Sequence, residues 1–281
     1  MNTAMSDIQT FVQITDPHIR ARGRLAYGRL DTAAYLRMTI ESVLRLRQPP
    51  RAMVMTGDLV DTGRTEEYEH LRELLAPLPM PVYLMPGNHD DRDSLRMAFP
   101  DHKYLGETGF IQYRCCIGPV HLLALDTVKP GCGDGMLCEE RLAWLERELG
   151  LLRGKPVVIA MHHPPFRTLI GHMDEMGLSQ GAAELETLLH RHTNVERILC
   201  GHLHRAIEVR YGGTVAATCP SPAHQLTLNL DPDAASDWML EPPAFRVHAW
   251  DAANRRLVTH LAPAGRFEGP YPFDAEGEAT E

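Results

Sequence analysis

The sequence predicts an α/β protein of four layers, αββα, in which two mixed sheets pack face to face between outer helices. Three observations lead there. Over the first two-thirds of the 281 residues, short apolar runs alternate with segments of helical period, as strands joined by covering helices do. The last third becomes a β-rich C-terminal part, with short apolar stretches between Gly, Pro and Asn turns. Finally, five of the apolar runs end in Asp, Asn or His, at the strand edge where open α/β sheets place their ligands.

In chain order, Thr10–Thr15 reads as the first strand and leads into Asp16-Pro17-His18. Ile19–Leu30 carries Arg20, Arg22, Gly23, Arg24, Gly28 and Arg29 without a period, and is expected as a loop beside that motif. Asp31 is the expected N-cap of a helix whose stripe (Ala34, Leu36, Met38, Ile40, Val43, Leu44, Leu46) stops at Pro49-Pro50. The hub is Met53–Asp61, where an apolar run ends at Gly57 and Asp58 follows at once. A helix from about Thr65 to Leu75 has acids in its first turn and ends before Pro77. Strand Val82–Met85 then runs into Gly87-Asn88-His89-Asp90, followed by a short helix near Asp93–Phe99 and strand Val120–Leu125.

Glu139–Leu149 places Leu142, Leu145 and Leu149 on one helical face and is expected to stop at Gly150. Strand Val157–Met161 ends in His162-His163-Pro164, helix Ala182–His190 follows, and strand Arg197–Cys200 delivers Gly201-His202-Leu203-His204. Beyond lie five short antiparallel strands, Ile207–Val209, Thr214–Ala217, Gln225–Leu230, Phe245–Trp250 and Leu257–Leu261. One domain is expected over 1–265, with an irregular acidic tail over 266–281. Within it 219–245, with Leu226, Leu228, Leu230 and Trp238-Met239-Leu240, either caps the active site or packs an oligomer interface, or else closes its own core as a second sheet.

Composition narrows the function classes. At 44% apolar residues the chain can bury a full core, yet no apolar run reaches the roughly 20 residues that span a bilayer. Met1–Thr10 is polar and lacks the basic and apolar regions of a signal peptide, so a cytoplasmic protein is expected. The six cysteines show no metal-type spacing, as suits reduced thiols. A net charge of −9 argues against nucleic acid or an anionic membrane as partner. It would also repel a phosphate substrate unless local cations intervene. Two divalent metals against two carboxylates and a hydroxide leave a net charge of roughly +1 at such a site.

Asp16 and His18 would share one face of an extended strand, or be aimed inward together by a turn at Pro17, and the first of these arguments holds for His202 and His204. A carboxylate such as Asp58 has two oxygens and can bridge two cations. Carboxylate, imidazole and amide donors without thiolate suit Mn, Fe, Co or Zn better than Mg or Ca.

Taken together, Asp16-x-His18, Gly57-Asp58-x-x-Asp61, Gly87-Asn88-His89-Asp90, His162-His163-Pro164 and Gly201-His202-x-His204 resemble the complete signature of the calcineurin-like metallophosphoesterases, over about 190 residues. Tyr27-Gly28, the doubled His before Pro164-Pro165, and Ala223-His224-Gln225 make the likeness closest to bacterial class III cyclic nucleotide phosphodiesterases and related glycerophosphodiesterases. The resemblance implies Asp16, His18, Asp58 and His204 on one metal, and Asp58, Asn88, His162 and His202 on the other. His162 is the implied ligand, and His163 its neighbour and support. Asp61 and Asp90 are expected to orient other groups. His89 is expected to bind the phosphoryl oxygens or protonate the leaving alkoxide, with Asp90 holding it, and Asn88 and His224 to contact substrate.

The expected activity is hydrolysis of small phosphodiesters, 3′,5′-cyclic nucleotides such as cAMP or glycerophosphodiesters, by a metal-bridging hydroxide. The alternatives are a broad phosphomonoesterase and a metal-free scaffold of the same fold. A homo-oligomer, dimer or higher, is expected through the late β segment.

Overall fold

The computed structural model describes residues 8–273. Its strands are β1 (Ile8–Ile14), β2 (Met53–Thr56), β3 (Val82–Met85), β4 (Tyr113–Ile117), β5 (Val120–Leu125), β6 (Gly135–Met136), β7 (Val157–Met161), β8 (Leu178–Gln180), β9 (Val195–Cys200), β10 (Glu208–Tyr211), β11 (Thr214–Thr218), β12 (Gln225–Leu226), β13 (Trp238–Met239), β14 (Ala244–Asp251) and β15 (Arg256–Pro263). Helices are α1 (Thr32–Leu44), α2 (Thr65–Leu75), α3 (Arg92–Ala98), α4 (Glu139–Leu151), α5 (Gly171–Asp174) and α6 (Ala182–His190).

Two large mixed sheets result, with strand orders β15-β14-β1-β2-β3 and β10-β11-β9-β7-β5-β4. Strands β1, β2 and β3 run parallel, as do β5, β7, β9 and β11, while β14, β15, β10 and β4 pair antiparallel and close three of the four edges. The layering follows from residues that alternate along a strand. On β5, Leu122 and Ala124 join a core shared with Phe11, Val12, Met53 and helices α1 and α2, whereas Leu123 and Leu125 pack with Leu145 of α4 and Leu185 of α6. Both faces of this sheet are therefore buried, which is why its central strands read as unbroken apolar runs. The expected αββα sandwich is the fold observed.

Most expected elements recur within a residue or two, and the departures have identifiable causes. Asp31 does cap α1, its side chain accepting from the Ala34 amide at 3.0 Å. Helix α4 passes Gly150 and ends one residue later, because Leu152 is buried and holds the last turn against the core. Strand β4 was not expected: Tyr113–Ile117 is an edge strand with mixed burial, so it lacks an apolar run. Of Gln225–Leu230 only the first two residues pair, with β13, and Leu228 and Leu230 stand exposed.

The late strands also divide. β10 and β11 extend the second sheet, β14 and β15 return to the first beside β1, and β12–β13 is a separate ribbon. Of the expected tail, 266–273 holds no helix or strand, and 274–281 lie outside the described residues, as do 1–7 of the N-terminal stretch. No described helix is long and apolar enough to cross a membrane.

Candidate metal centre

Parallel strands send their C-terminal ends to one edge, so β1, β2 and β3 of one sheet and β7 and β9 of the other deliver their terminal residues to a single place. Backbone hydrogen bonds splice the turns: the amide of Asp16 donates to Gly57, that of His18 to Asp58, and that of Gly201 to His162. All seven expected ligands converge there, and all except Asn88 are buried.

The backbone carries strain at this point. Eight described non-glycine residues have positive φ, and five of them are Asp16 (52°), His18 (44°), Asp58 (47°), His202 (71°) and His204 (51°). Such conformations cost of order 1–3 kcal/mol each and persist where the surroundings over-determine them. The glycines explain the rest of the motif spacing. At Gly57, φ is +93°, and a Cβ would overlap the His162 imidazole and lie 2.9 Å from Gly87 Cα. A Cβ at Gly87 would run into Asp58.

Around Asp58 the donor atoms crowd together. Its Oδ2 lies 3.6 Å from His18 Nε2 and its Oδ1 3.4 Å from His162 Nε2. His18 Nε2 and His204 Nε2 are 3.2 Å apart, His204 Nε2 is 3.4 Å from Asp16 Oδ1, and His162 Nε2 is 3.0 Å from Asn88 Oδ1. The outer nitrogens fix the tautomers. His162 Nδ1 donates to the Thr56 carbonyl at 2.8 Å and His204 Nδ1 to the His224 carbonyl at 3.1 Å, leaving each Nε2 free to face the centre. Asp16 accepts the His202 amide at 3.0 Å on both oxygens, while His202 Nε2 is buried with no partner.

The electrostatics agree with a cation site. Burial works to raise the Asp58 pKa, but His162, His89 and His18 outweigh it and hold the carboxyl well below its usual range. Asp16 is likewise held down by His204 against burial. Burial and the charge on His162 push His202 down to about 3, so it is neutral and able to ligate. Burial opposes charge on His162 as well, yet Asp58 and Asp16 keep it up at about 9; its proton is the one a cation would displace.

His163 Nδ1 lies 2.8 Å from the Thr127 hydroxyl and Nε2 3.2 Å from the Gly133 carbonyl, so both its ring nitrogens have partners, while His163 still lies in one cluster of possible donors with His162 and His202. His89 Nδ1 contacts the Asp61 carbonyl at 2.7 Å, and its amide donates to Asp58 Oδ1 at 2.9 Å. The Asp61 carboxylate stands 3.3 Å from His18 Nδ1, though not aligned as a hydrogen bond.

Asp90 requires a correction. It was expected to hold His89 in a catalytic pair, but its hydrogen bonds go elsewhere. It accepts from the amides of Leu59 (3.0 Å), Val60 (3.4 Å) and Gly87 (2.8 Å) and from the Tyr68 hydroxyl (2.9 Å). Burial and the nearby Asp58 raise its pKa to about 7 despite these donors. Asp90 thus clamps the two loops that carry Asp58 and Asn88, and the carbonyl of Asp61 is what orients His89.

His224 is buried, with Nε2 3.2 Å from the Tyr27 hydroxyl and Nδ1 without a partner. Burial and the neighbouring His204 push it down to about 2. Tyr27 in turn stacks on Trp238 of the β12–β13 ribbon, ring centroids 5.2 Å apart. A cavity of about 290 Å³ lies over the centre, walled by Tyr27, Met173, Met176, Leu226 and Trp238. The sequence carries no sign of Thr127 or Tyr68 as parts of the site, since each acts from a loop or helix with no motif of its own, whereas Trp238 falls in the segment expected as a cap.

A cluster of carboxylate and imidazole donors at the joined edges of two mixed sheets defines a metal-dependent phosphoesterase centre, and residues 9–206 match the calcineurin-like phosphoesterase family. The chain belongs to that family. It is 36% identical over 271 residues, 96% of this chain and 99% of the relative, to the probable glycerophosphodiester phosphodiesterase GpdQ of Arcobacter nitrofigilis. It is also 33% identical over 263 residues, 92% of this chain and 94% of the relative, to a probable cyclic nucleotide phosphodiesterase of Rhodopseudomonas palustris. In fold it is similar to a dimetal phosphatase from Danio rerio, at TM-score 0.61 and 16% identity over 92% of this chain and 99% of that one.

Proposed function

We propose that the chain is a phosphodiesterase that hydrolyses small phosphodiesters, 3′,5′-cyclic nucleotides such as cAMP or glycerophosphodiesters, at a centre of two divalent cations. The observation that supports this reading is the crowding of imidazole donors around Asp58, with the outer nitrogens of His162 and His204 already fixed, beside the unpartnered, buried Nε2 of His202. Leaving such a nitrogen buried and unpaired costs about 1–3 kcal/mol, and a cation would relieve it. Asp16, His18, Asp58 and His204 would hold one ion, and Asp58, Asn88, His162 and His202 the other. Oxygen and imidazole donors without thiolate favour Mn, Fe, Co or Zn.

When bound, the ions supply Lewis acidity, lowering the pKa of water and drawing charge from phosphoryl oxygens. The chain's own residues do the rest. His89 is cationic more readily than an ordinary histidine, because Asp58 and the Asp61 carbonyl outweigh its burial. With Nδ1 committed to Asp61, its Nε2 proton is the one available to the phosphoryl oxygens or the leaving alkoxide. Asn88, His89 and His224 face the cavity where substrate would sit. Asp61 and His163 hold their neighbours in place.

The ribbon fits a cap within a single domain over 1–265, since Trp238 walls the cavity and Arg205 Nη1 joins β12 to the segment just after β13, at 2.6 Å to the Leu226 carbonyl and 2.8 Å to Glu241. Exposed Leu228, Leu230 and Leu240 on the same segment support a homo-oligomer with a second copy over it. Light scattering at micromolar concentration should report a dimer or larger, and a monomer mass would end that idea. All six cysteines are free thiols, in keeping with the cytoplasm.

The activity is tested by initial rates with added Mn²⁺ on bis(p-nitrophenyl) phosphate, p-nitrophenyl phosphate, 3′,5′-cAMP and glycerophosphoethanolamine. Diesters should lead, with one natural diester well above the other. A leading monoester would keep the site chemistry and refute the substrate class.

A further inference from the structure

Asp61 does two jobs from one position. Its carbonyl contacts His89 Nδ1 at 2.7 Å, and its carboxylate Oδ1 lies 3.3 Å from Nδ1 of the ligand His18. The other carboxylate oxygen accepts from Arg20 Nη1 at 2.8 Å, and the same nitrogen lies 3.1 Å from Glu67 Oε1 on α2. Glu67 uses its second oxygen on the Thr62 amide at 2.8 Å, immediately after Asp61. The turn that touches both histidines is therefore gripped from two sides, and Arg20 is a cation that joins the grips.

Arg20 is itself fixed. The preceding residue, Ile19, bridges Val60, and the Asp61 amide donates to the Ile19 carbonyl at 3.2 Å. The Arg20 carbonyl meets His70 Nδ1 of α2 at 2.7 Å. Its side chain is 25% exposed, that of Asp61 16% and that of Glu67 3%. A solvated surface pair is worth little, but here removing the guanidinium would leave two carboxylates facing each other with no cation between them. Asp61 would then turn away from Glu67, taking its oxygen off His18 and its carbonyl off His89.

We propose that Arg20 is a positioning residue for the hydrolysis, acting through Asp61 on His18 and His89 together. The inference rests on the dinuclear reading above. Supporting groups behind a metal-bound histidine typically change metal affinity or activity by about 10–100-fold. Two variants test it, Arg20→Gln and Arg20→Lys, each stripped of metal and titrated with Mn²⁺ while bound ions are counted, then assayed on bis(p-nitrophenyl) phosphate.

Arg20→Gln should bind the more weakly held Mn²⁺ about 10–100-fold less tightly and lose kcat on a similar scale, with KM changed by less than about threefold. Arg20→Lys, which keeps the charge, should recover most of both. Unchanged affinity and kcat in Arg20→Gln, with two ions bound as in wild type, would overturn the proposal and leave the dinuclear reading intact. So would a loss that Arg20→Lys fails to restore together with a matching fall in melting temperature, since that is the mark of a purely structural residue. A wild-type chain that takes up no Mn²⁺ would overturn the dinuclear reading, and this proposal with it.

Discussion

Asp58→Ala is expected to lower turnover by at least ~10³-fold even at saturating Mn²⁺. Lewis-acid stabilisation by bound metal is worth several kcal/mol, and each 1.4 kcal/mol is about tenfold in rate. The two oxygens of Asp58 reach toward both sets of donors, Oδ2 to His18 and Oδ1 to His162. It also accepts the His89 amide, so its loss frees the Asn88-His89 loop as well. The variant should fail to hold one or both ions. Steady-state kinetics alongside metal analysis check this, and near wild-type turnover would refute the ligand assignment.

His89→Ala separates binding from chemistry. It should keep both metals and lose at least ~10²-fold in kcat, the usual scale for a general acid. The structure gives the reason for the separation. His89 is fixed through its amide and Nδ1, to Asp58 and the Asp61 carbonyl, and its ring packs edge-on against His18 at 4.7 Å between centroids. Collapse of the metal content instead would show that His89 is a ligand, and the division of roles would fall.

Much of this was legible in the sequence because each piece has a local cause. Apolar runs buried on both faces must be central strands, and a polar residue placed at the end of such a run has one edge to go to. The pattern places Asp16, Asp58, His162 and His202 in this way, whereas Asn88 follows β3, an edge strand only half buried over its first two residues. Its limit is visible at β5, where an equally clean apolar run ends in Asp126. That carboxylate is buried too, but it is used up in a bidentate pair with Arg92 at 2.6 and 2.7 Å and joins no cluster of possible metal ligands among the described residues.

Hydrogen-bond direction was not legible. Asp90 follows His89 in sequence, which suggested a pair, yet the tight turn after Gly87 sends its carboxylate to the amides of Leu59, Val60 and Gly87. The pairing within the ribbon was illegible for a related reason. Its strands are two residues each, held by Arg205 and by stacking of Trp238 on Tyr27, and these contacts span more than 20 residues of sequence without any periodic signal.

On the proposed reading, two cations act together at Asp58. The most direct measurement is to strip the wild-type chain of metal, return Mn²⁺ in counted equivalents, and follow bis(p-nitrophenyl) phosphate hydrolysis. Activity should be absent in the stripped chain and should reach its plateau as the second equivalent per chain is bound. Full activity without metal, or a plateau at a single equivalent, would contradict the account.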